Sequence, residues 1–340
     1  MDNFEKAKEL HRKYHVVDCH LDLAEEVYQR YKNNEKEVIK NYYLDNWNKA
    51  GIKIIVSSIF VDNHYLPELG LRVALDQLSM LRDDISSIKE DVELVTNFQE
   101  FNRVMSSKKI GIMLSLEGLA PIGNDIHLLK TFYHLGVRGA GLTWSRSNYV
   151  AQGIGLGPDT FIDVGLSAFG FEVVKTMNEL NMFIDFSHLN DKGIDDVLQC
   201  SSKPVIASHS NCRKINNIPR NLSDQHICKI AESGGFIGIN GIIPIIGERP
   251  KGHINTICDH IDHINNLVGS DHIGFGFDIC KGIDITSMRY GNCEDEFIDA
   301  LKDHTDSILI TEELLNRGYD ESQIEKIIGL NIIRFMQIML

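Results

Sequence analysis

Apolar runs that end abruptly in polar side chains recur along this chain, and they limit its fold more than any other feature. Ile52–Val61 (IKIIVSSIFV) and Ile110–Leu116 (IGIMLSL) are nearly continuous apolar runs. That pattern marks parallel strands buried on both faces, since a half-exposed strand would alternate. Shorter runs of the same kind are Val16–Leu23, Val92–Val95, Val137–Thr143, Met182–Phe186, Pro204–Ala207, Phe236–Ile239 and His272–Phe275. Between them Ala24–Asn48, Leu66–Lys89, Leu166–Asn178, Asp191–Leu198, Asp224–Ala231 and Ile254–Leu267 read as helices, and Gly153–Gly157 with Pro158 as a loop. Further helices are expected near Ile308–Arg317, Glu321–Ile328 and Ile332–Leu340. Strand and helix alternate about eight times, the rhythm of an α/β (β/α)8 TIM-type barrel. An open, doubly wound sheet is the alternative. Against it, no glycine-rich dinucleotide fingerprint follows the first strand, where VVDCHLDL stands instead. Residues 1–340 are expected to form one barrel domain.

The net charge of −14 argues against a nucleic-acid backbone or an anionic membrane as the main partner. No apolar run reaches the ~18 residues that a membrane span needs. The first residues, MDNFEKAKELHRKYH, place Phe4, Ala7, Leu10 and Tyr14 at the spacing of an amphipathic helix and not of a signal peptide. The seven cysteines include no C-x-x-C pair, which points to reduced thiols in a cytoplasmic protein.

The chemistry lies at the strand ends. In Asp18-Cys19-His20-Leu21-Asp22, strand alternation would turn Asp18, His20 and Asp22 to one face. Imidazole with carboxylate suits a divalent metal. Taken alone, such a motif more often marks a strand end meeting solvent. Other runs, however, deliver Glu117, His188, His209 and Asp278 at corresponding places. In a barrel these ends converge around one axis. Three imidazoles and two carboxylates are enough for two metals that share one carboxylate. Two ions ~3.5–4 Å apart can ionise a bridging water and polarise a carbonyl or phosphoryl oxygen. No G-x-S-x-G nucleophile elbow competes with that water as nucleophile.

The order of these segments resembles the renal (membrane) dipeptidases of the amidohydrolase superfamily. The resemblance is carried by Asp18–Asp22, Leu116-Glu117-Gly118, Gly136-Val137-Arg138 with Leu142-Thr143, Gly165–Gly170 and Ile184–His188. It continues through Ala207–Asn211, Pro219–Asp224, Ile273–Gly276 and Gly329–Arg334. It implies a metallopeptidase that hydrolyses free dipeptides through a metal-bridging hydroxide and tolerates a D-residue at the C-terminal position. His20 and Asp22 would hold one zinc and His188 and His209 the other, with Glu117 bridging. Such sites also accept Mn or Co. Asp278 would move a proton to the leaving amine, Arg220 would bind the substrate near its carboxylate, and Trp144 and Asn148 would contact the substrate. A homodimer is also implied.

Two positions depart from the family pattern. Trp144 stands where many members place a histidine that contacts the scissile carbonyl. Cys280 replaces the second acidic residue of the usual G-x-D-F-D-G. They leave two alternatives open: a metal-dependent amidase acting on another small amide, and a catalytically inactive binding protein on the same barrel.

Overall fold

The computed structural model describes residues 2–155, 164–247, 252–283 and 299–340. Leu156, Gly157 and Pro158 of the expected loop, and Cys293, lie outside the described residues. The strands are β1 (Val16–Leu21), β2 (Ile52–Phe60), β3 (Val92–Leu94), β4 (Ile110–Glu117), β5 (Val137–Gly141), β6 (Phe183–Asp185), β7 (Val205–Ile206), β8 (Ile237–Ile239) and β9 (Ile273–Phe275). All pairings between them are parallel, in the order β7-β6-β5-β4-β2-β1-β9-β8, with β3 beside the first half of β4. The two free edges meet through an Ala207–Ile237 bridge, with Gly238 N donating to Ala207 O at 2.8 Å and Ser210 N to Gly238 O at 2.8 Å. That seam closes the eight-stranded barrel. It needs glycine at two places, because a Cβ at Gly238 or Gly276 would collide with the Ser208 carbonyl.

Two apolar layers hold the barrel. Val17, Cys19, Ile54, Val56, Met113, Phe183, Ile206 and Phe236 form an inner cluster. It is plugged by helix Asn331–Met339, whose Phe335 ring meets Phe183 and Phe236 edge-on at 6.1 and 5.3 Å. Fully burying one such ring stabilises by ~1.5–3 kcal/mol. Ile55, Ile59, Ile112, Leu114 and Leu116 face outward into a second cluster with the helices. This two-sided burial explains why β2 and β4 are mostly apolar, with Lys53, Ser57, Ser58, Ser115 and Glu117 the buried exceptions.

Pairing sets the height of the rim. Phe60 lies opposite Glu117, Glu117 opposite Gly141, Gly141 opposite Asp185, and Asp185 opposite Ile206. Residues just beyond these positions therefore open at one level. The described residues include no helix long and apolar enough to cross a membrane.

Candidate metal centre

The rim gathers six of the strand-end residues. His20 Nε2 lies 3.5 Å from Glu117 Oε2 and 3.8 Å from both Asp22 Oδ1 and Asp278 Oδ1. On the other side, His188 Nε2 and His209 Nε2 lie 3.0 and 3.5 Å from Glu117 Oε1 and 3.0 Å from each other. The His20 and His209 rings stack with centroids 3.5 Å apart. Among the described residues, two groups have ligand atoms close enough to share an ion: His20, Glu117 and His209, and His20, Asp22 and Asp278.

The donor set fits divalent cations. His20 Nε2 and Glu117 Oε2 are buried, face each other and have no hydrogen-bond partner. Burying unpaired polar atoms is costly unless something completes them. A cation satisfies both. The outer nitrogens of the other imidazoles are already engaged, His188 Nδ1 with Ser145 Oγ at 3.0 Å and His209 Nδ1 with Ser208 Oγ at 2.6 Å. Asp185 in turn accepts from Ser208 N at 2.8 Å and from the Ser208 hydroxyl. Such outer partners fix which ring nitrogen faces a metal. His188 and Asp278 have φ of 69° and 60°. The left-handed region costs a non-glycine residue ~1–3 kcal/mol and concentrates at functional sites.

Electrostatics divide the centre. Burial draws His20 down, but Glu117, Asp22 and Asp278 together overcome it and lift the imidazole to about 10. Burial, the Arg220 guanidinium and His20 hold His188 at about 3, although Glu117 opposes them. His209 is held low by burial and by His20 and Arg220. Glu117 lies well below the usual range, because His20, His188 and His209 outweigh its burial. Burial lifts Asp278, His20 pulls it back, Glu117 adds to the lift, and it stands at about 6.

Asp18 does not join the ligand face, contrary to the alternation expected for β1. Val17 and Cys19 pack inward, so Asp18 between them meets the helical layer, where its Oδ2 pairs with His304 Nε2 at 2.9 Å. Its Oδ1 accepts from His20 N at 3.2 Å and Phe277 N at 3.0 Å. The register with β2 shifts between Asp18 and Leu21, and that irregularity separates His20 from Asp18.

Arg220 is buried beside His188. Its Nη1 donates to Ser210 Oγ at 2.8 Å and its Nη2 to His209 O at 2.7 Å, while its buried Nε has no partner. Trp144 is a buried wall, with ring centroids 5.2 Å from Phe60 and 5.7 Å from His188. Asn148, the other expected substrate contact, is engaged within its own loop. Its amide donates to Leu142 O at 2.8 Å and accepts from Val150 N at 2.8 Å and Ala151 N at 3.2 Å, so it braces its own loop. The Cys280 thiol donates to Asp278 O at 3.2 Å, from beneath the loop. Sequence reasoning passed over Asn240, whose Nδ2 donates to Asp278 Oδ2 at 2.9 Å. It directly follows the run Phe236–Ile239, so the strand-end rule that found the ligands would have found it too.

A parallel barrel whose mouth gathers imidazoles and carboxylates around one glutamate defines a metallohydrolase-type centre. The chain belongs to the membrane dipeptidase family, peptidase family M19, whose model matches residues 4–339. Its metal dependence follows from that membership. Among its relatives is human dipeptidase 3, 29% identical over 339 residues, which cover 97% of this chain and 66% of that protein. Dipeptidase verJ of Clonostachys rogersoniana is 31% identical over 269 residues, 78% of this chain and 65% of that protein. The chain spans about two thirds of the length of these relatives. Its fold superposes on the crystal structure of the metallopeptidase dipeptidase AC with a TM-score of 0.82 at 26% identity, covering 95% of this chain and 98% of that one. A Rhodobacter sphaeroides metallopeptidase, solved with a phosphinate mimic of L-Ala-D-Ala, shares the fold with a TM-score of 0.81 at 24% identity, covering 95% and 99%.

Proposed function

We propose that the protein hydrolyses the peptide bond of free dipeptides, including those with a C-terminal D-residue, using two divalent ions, zinc first among them. One observation carries this reading: three imidazole Nε2 atoms converge on the two oxygens of Glu117, and two of the atoms that meet there are buried and unpaired. His20 and Asp22 would hold one ion, His188 and His209 the other, and Glu117 both. Such ions supply an activated water and a Lewis acid for the scissile carbonyl.

The remaining steps fall to the chain's own side chains. Arg220, with a buried Nε still open, binds the substrate's C-terminal carboxylate. Asp278, held by the Asn240 amide at 2.9 Å, would hand a proton to the leaving amine. Trp144 walls the acyl side and limits side-chain size there. The thiols of Cys19, Cys200, Cys212, Cys228, Cys258 and Cys280 are free, which supports a reducing, cytoplasmic setting.

The test is hydrolysis of a mixed L,L and L,D dipeptide library by the metal-loaded chain, beside N-blocked dipeptides and tetrapeptides. The reading expects turnover of free dipeptides alone. Efficient cleavage of N-acylated amino acids or lactams in their place would move the assignment to another amidase. An inert, metal-replete protein would make it a binding protein.

A further inference from the structure

The loop that follows β5 carries a guanidinium that the proposed reaction does not use. Arg146 donates from Nη2 to the Val61 carbonyl at 2.7 Å. Its Nε and Nη1 are buried and have no hydrogen-bond partner among the described residues. The guanidinium lies 5.2 Å from the centre of the Trp144 ring and 5.8 Å from that of Phe60. Trp144 itself packs against His188 at 5.7 Å, one ring removed from the metal centre. Arg146 therefore borders the site from the β2 and β5 side, while Arg220 borders it from the β6 and β7 side.

Aromatic faces hold a cation in place but satisfy none of its N–H groups. Leaving charged donors buried and unmade is more costly than leaving neutral ones, and native folds keep few of them. Glu117 and Asp62 act on Arg146 through their charge, yet neither takes up the two open donors. What is missing is an acceptor, and for a guanidinium the strongest acceptor is a carboxylate. Arg220 already answers the substrate's C-terminal carboxylate, so a second one would come from a side chain. In a chain of net charge −14, such a local cation also favours the approach of an acidic side chain.

We propose that Arg146 selects dipeptides carrying an acidic side chain, Asp or Glu, by donating from its open Nε and Nη1 groups to that carboxylate. The proposal rests on the dipeptidase reading and narrows its substrate class. A purely structural Arg146, pinning the Val61 turn to the Trp144 loop, is the competing account, and it predicts no dependence on substrate charge.

The experiment compares the metal-loaded full chain on Glu-Ala with Gln-Ala, and on Ala-Glu with Ala-Gln. The quantity read is the kcat/KM ratio of each acid to its amide isostere. The wild type is expected to favour the acid by about 10–100-fold in at least one pair, the discrimination a charged hydrogen-bonded subsite supplies. Arg146→Gln should bring that ratio to within about 3-fold of unity, mainly through KM. Arg146→Lys, which keeps the charge and most of the packing, should give an intermediate ratio and decides the matter if the glutamine variant does not fold. Wild-type ratios near unity in both pairs, or equal losses on acid and amide in the variants, would overturn the proposal. Cleavage of none of the four with both metals bound would instead remove the dipeptidase reading, and this proposal with it.

Discussion

Each half of the centre holds a buried imidazole, and the two are shifted in opposite directions. On the β1 and β9 side, His20 is enclosed by Asp22, Asp278 and Glu117 and is lifted to about 10. On the β6 and β7 side, His188 is held at about 3 by burial and by Arg220. Both rings are buried, so burial does not distinguish them; their neighbours do. The difference gives the mouth a direction. A free dipeptide is a zwitterion, and its ammonium end suits the carboxylate half while its carboxylate end suits Arg220. Glu117 joins the halves, with Oε2 toward His20 and Oε1 toward His188 and His209.

The largest effect should follow from breaking that join. Glu117→Gln keeps the shape but not the charge, and is expected to cut kcat/KM by ~10³-fold or more, beyond the loss of a single oxyanion donor, and to lower the metal content. Full metal occupancy with activity within 10-fold of wild type would show that the halves work apart. A middle effect should come from the basic half alone. Arg220→Ala is expected to raise KM and lower kcat/KM by ~10–100-fold, the worth of a charged hydrogen bond. The loss should shrink on dipeptide amides, which have no C-terminal carboxylate; an equal loss on both would take Arg220 out of substrate binding.

The smallest effect comes from a third histidine that isolates burial from charge. His11 is buried between Ala50 O and Thr311 Oγ, each at 2.8 Å, with no carboxylate partner. Burial lowers it from 6.5 to about 4, with only the Ala50 hydrogen bond opposing. Below pH 6.5 the unfolded chain takes up a proton that the native state refuses. The stability from neutral His11 is thus complete above pH 6.5, falls by ~1.4 kcal/mol per pH unit below it, and is lost, to a total of ~3 kcal/mol, near pH 4. In urea denaturation at pH 7 and pH 5, the change in stability of the wild type and that of His11→Asn should differ by ~2 kcal/mol, the share of His11. The same pH slope in both proteins would mean that burial does not act on His11 in this way.

How much of this was legible depended on the length of each signal. The runs behind β2 and β4 predicted those strands to within a residue at each end, because burial on both faces keeps them mostly apolar despite Lys53, Ser57, Ser58 and Ser115. The short β6, β7 and β8 were found as runs but drawn one or two residues too long. Helix Phe98–Met105 was missed; only Phe101 and Val104 are buried in it. Ala24–Asn48 was read as one helix but comprises Leu23–Lys32, a π-helical turn Ile39–Tyr43 and Leu44–Ala50. Asp18 was misassigned because strict alternation was assumed across a register shift that no local residue announces. Arg146 escaped for another reason: an arginine two residues beyond a strand-end motif is ordinary in sequence, and only three-dimensional packing reveals its open donors.

The central claim is that Glu117 joins two metal-binding halves into one centre. The most direct measurement is metal content per chain after reconstitution and removal of excess ion, followed through a stepwise chelator titration beside dipeptide hydrolysis. The account predicts close to two ions per chain, with activity lost as the first is withdrawn. One ion per chain with full activity, or full activity with none, would contradict it.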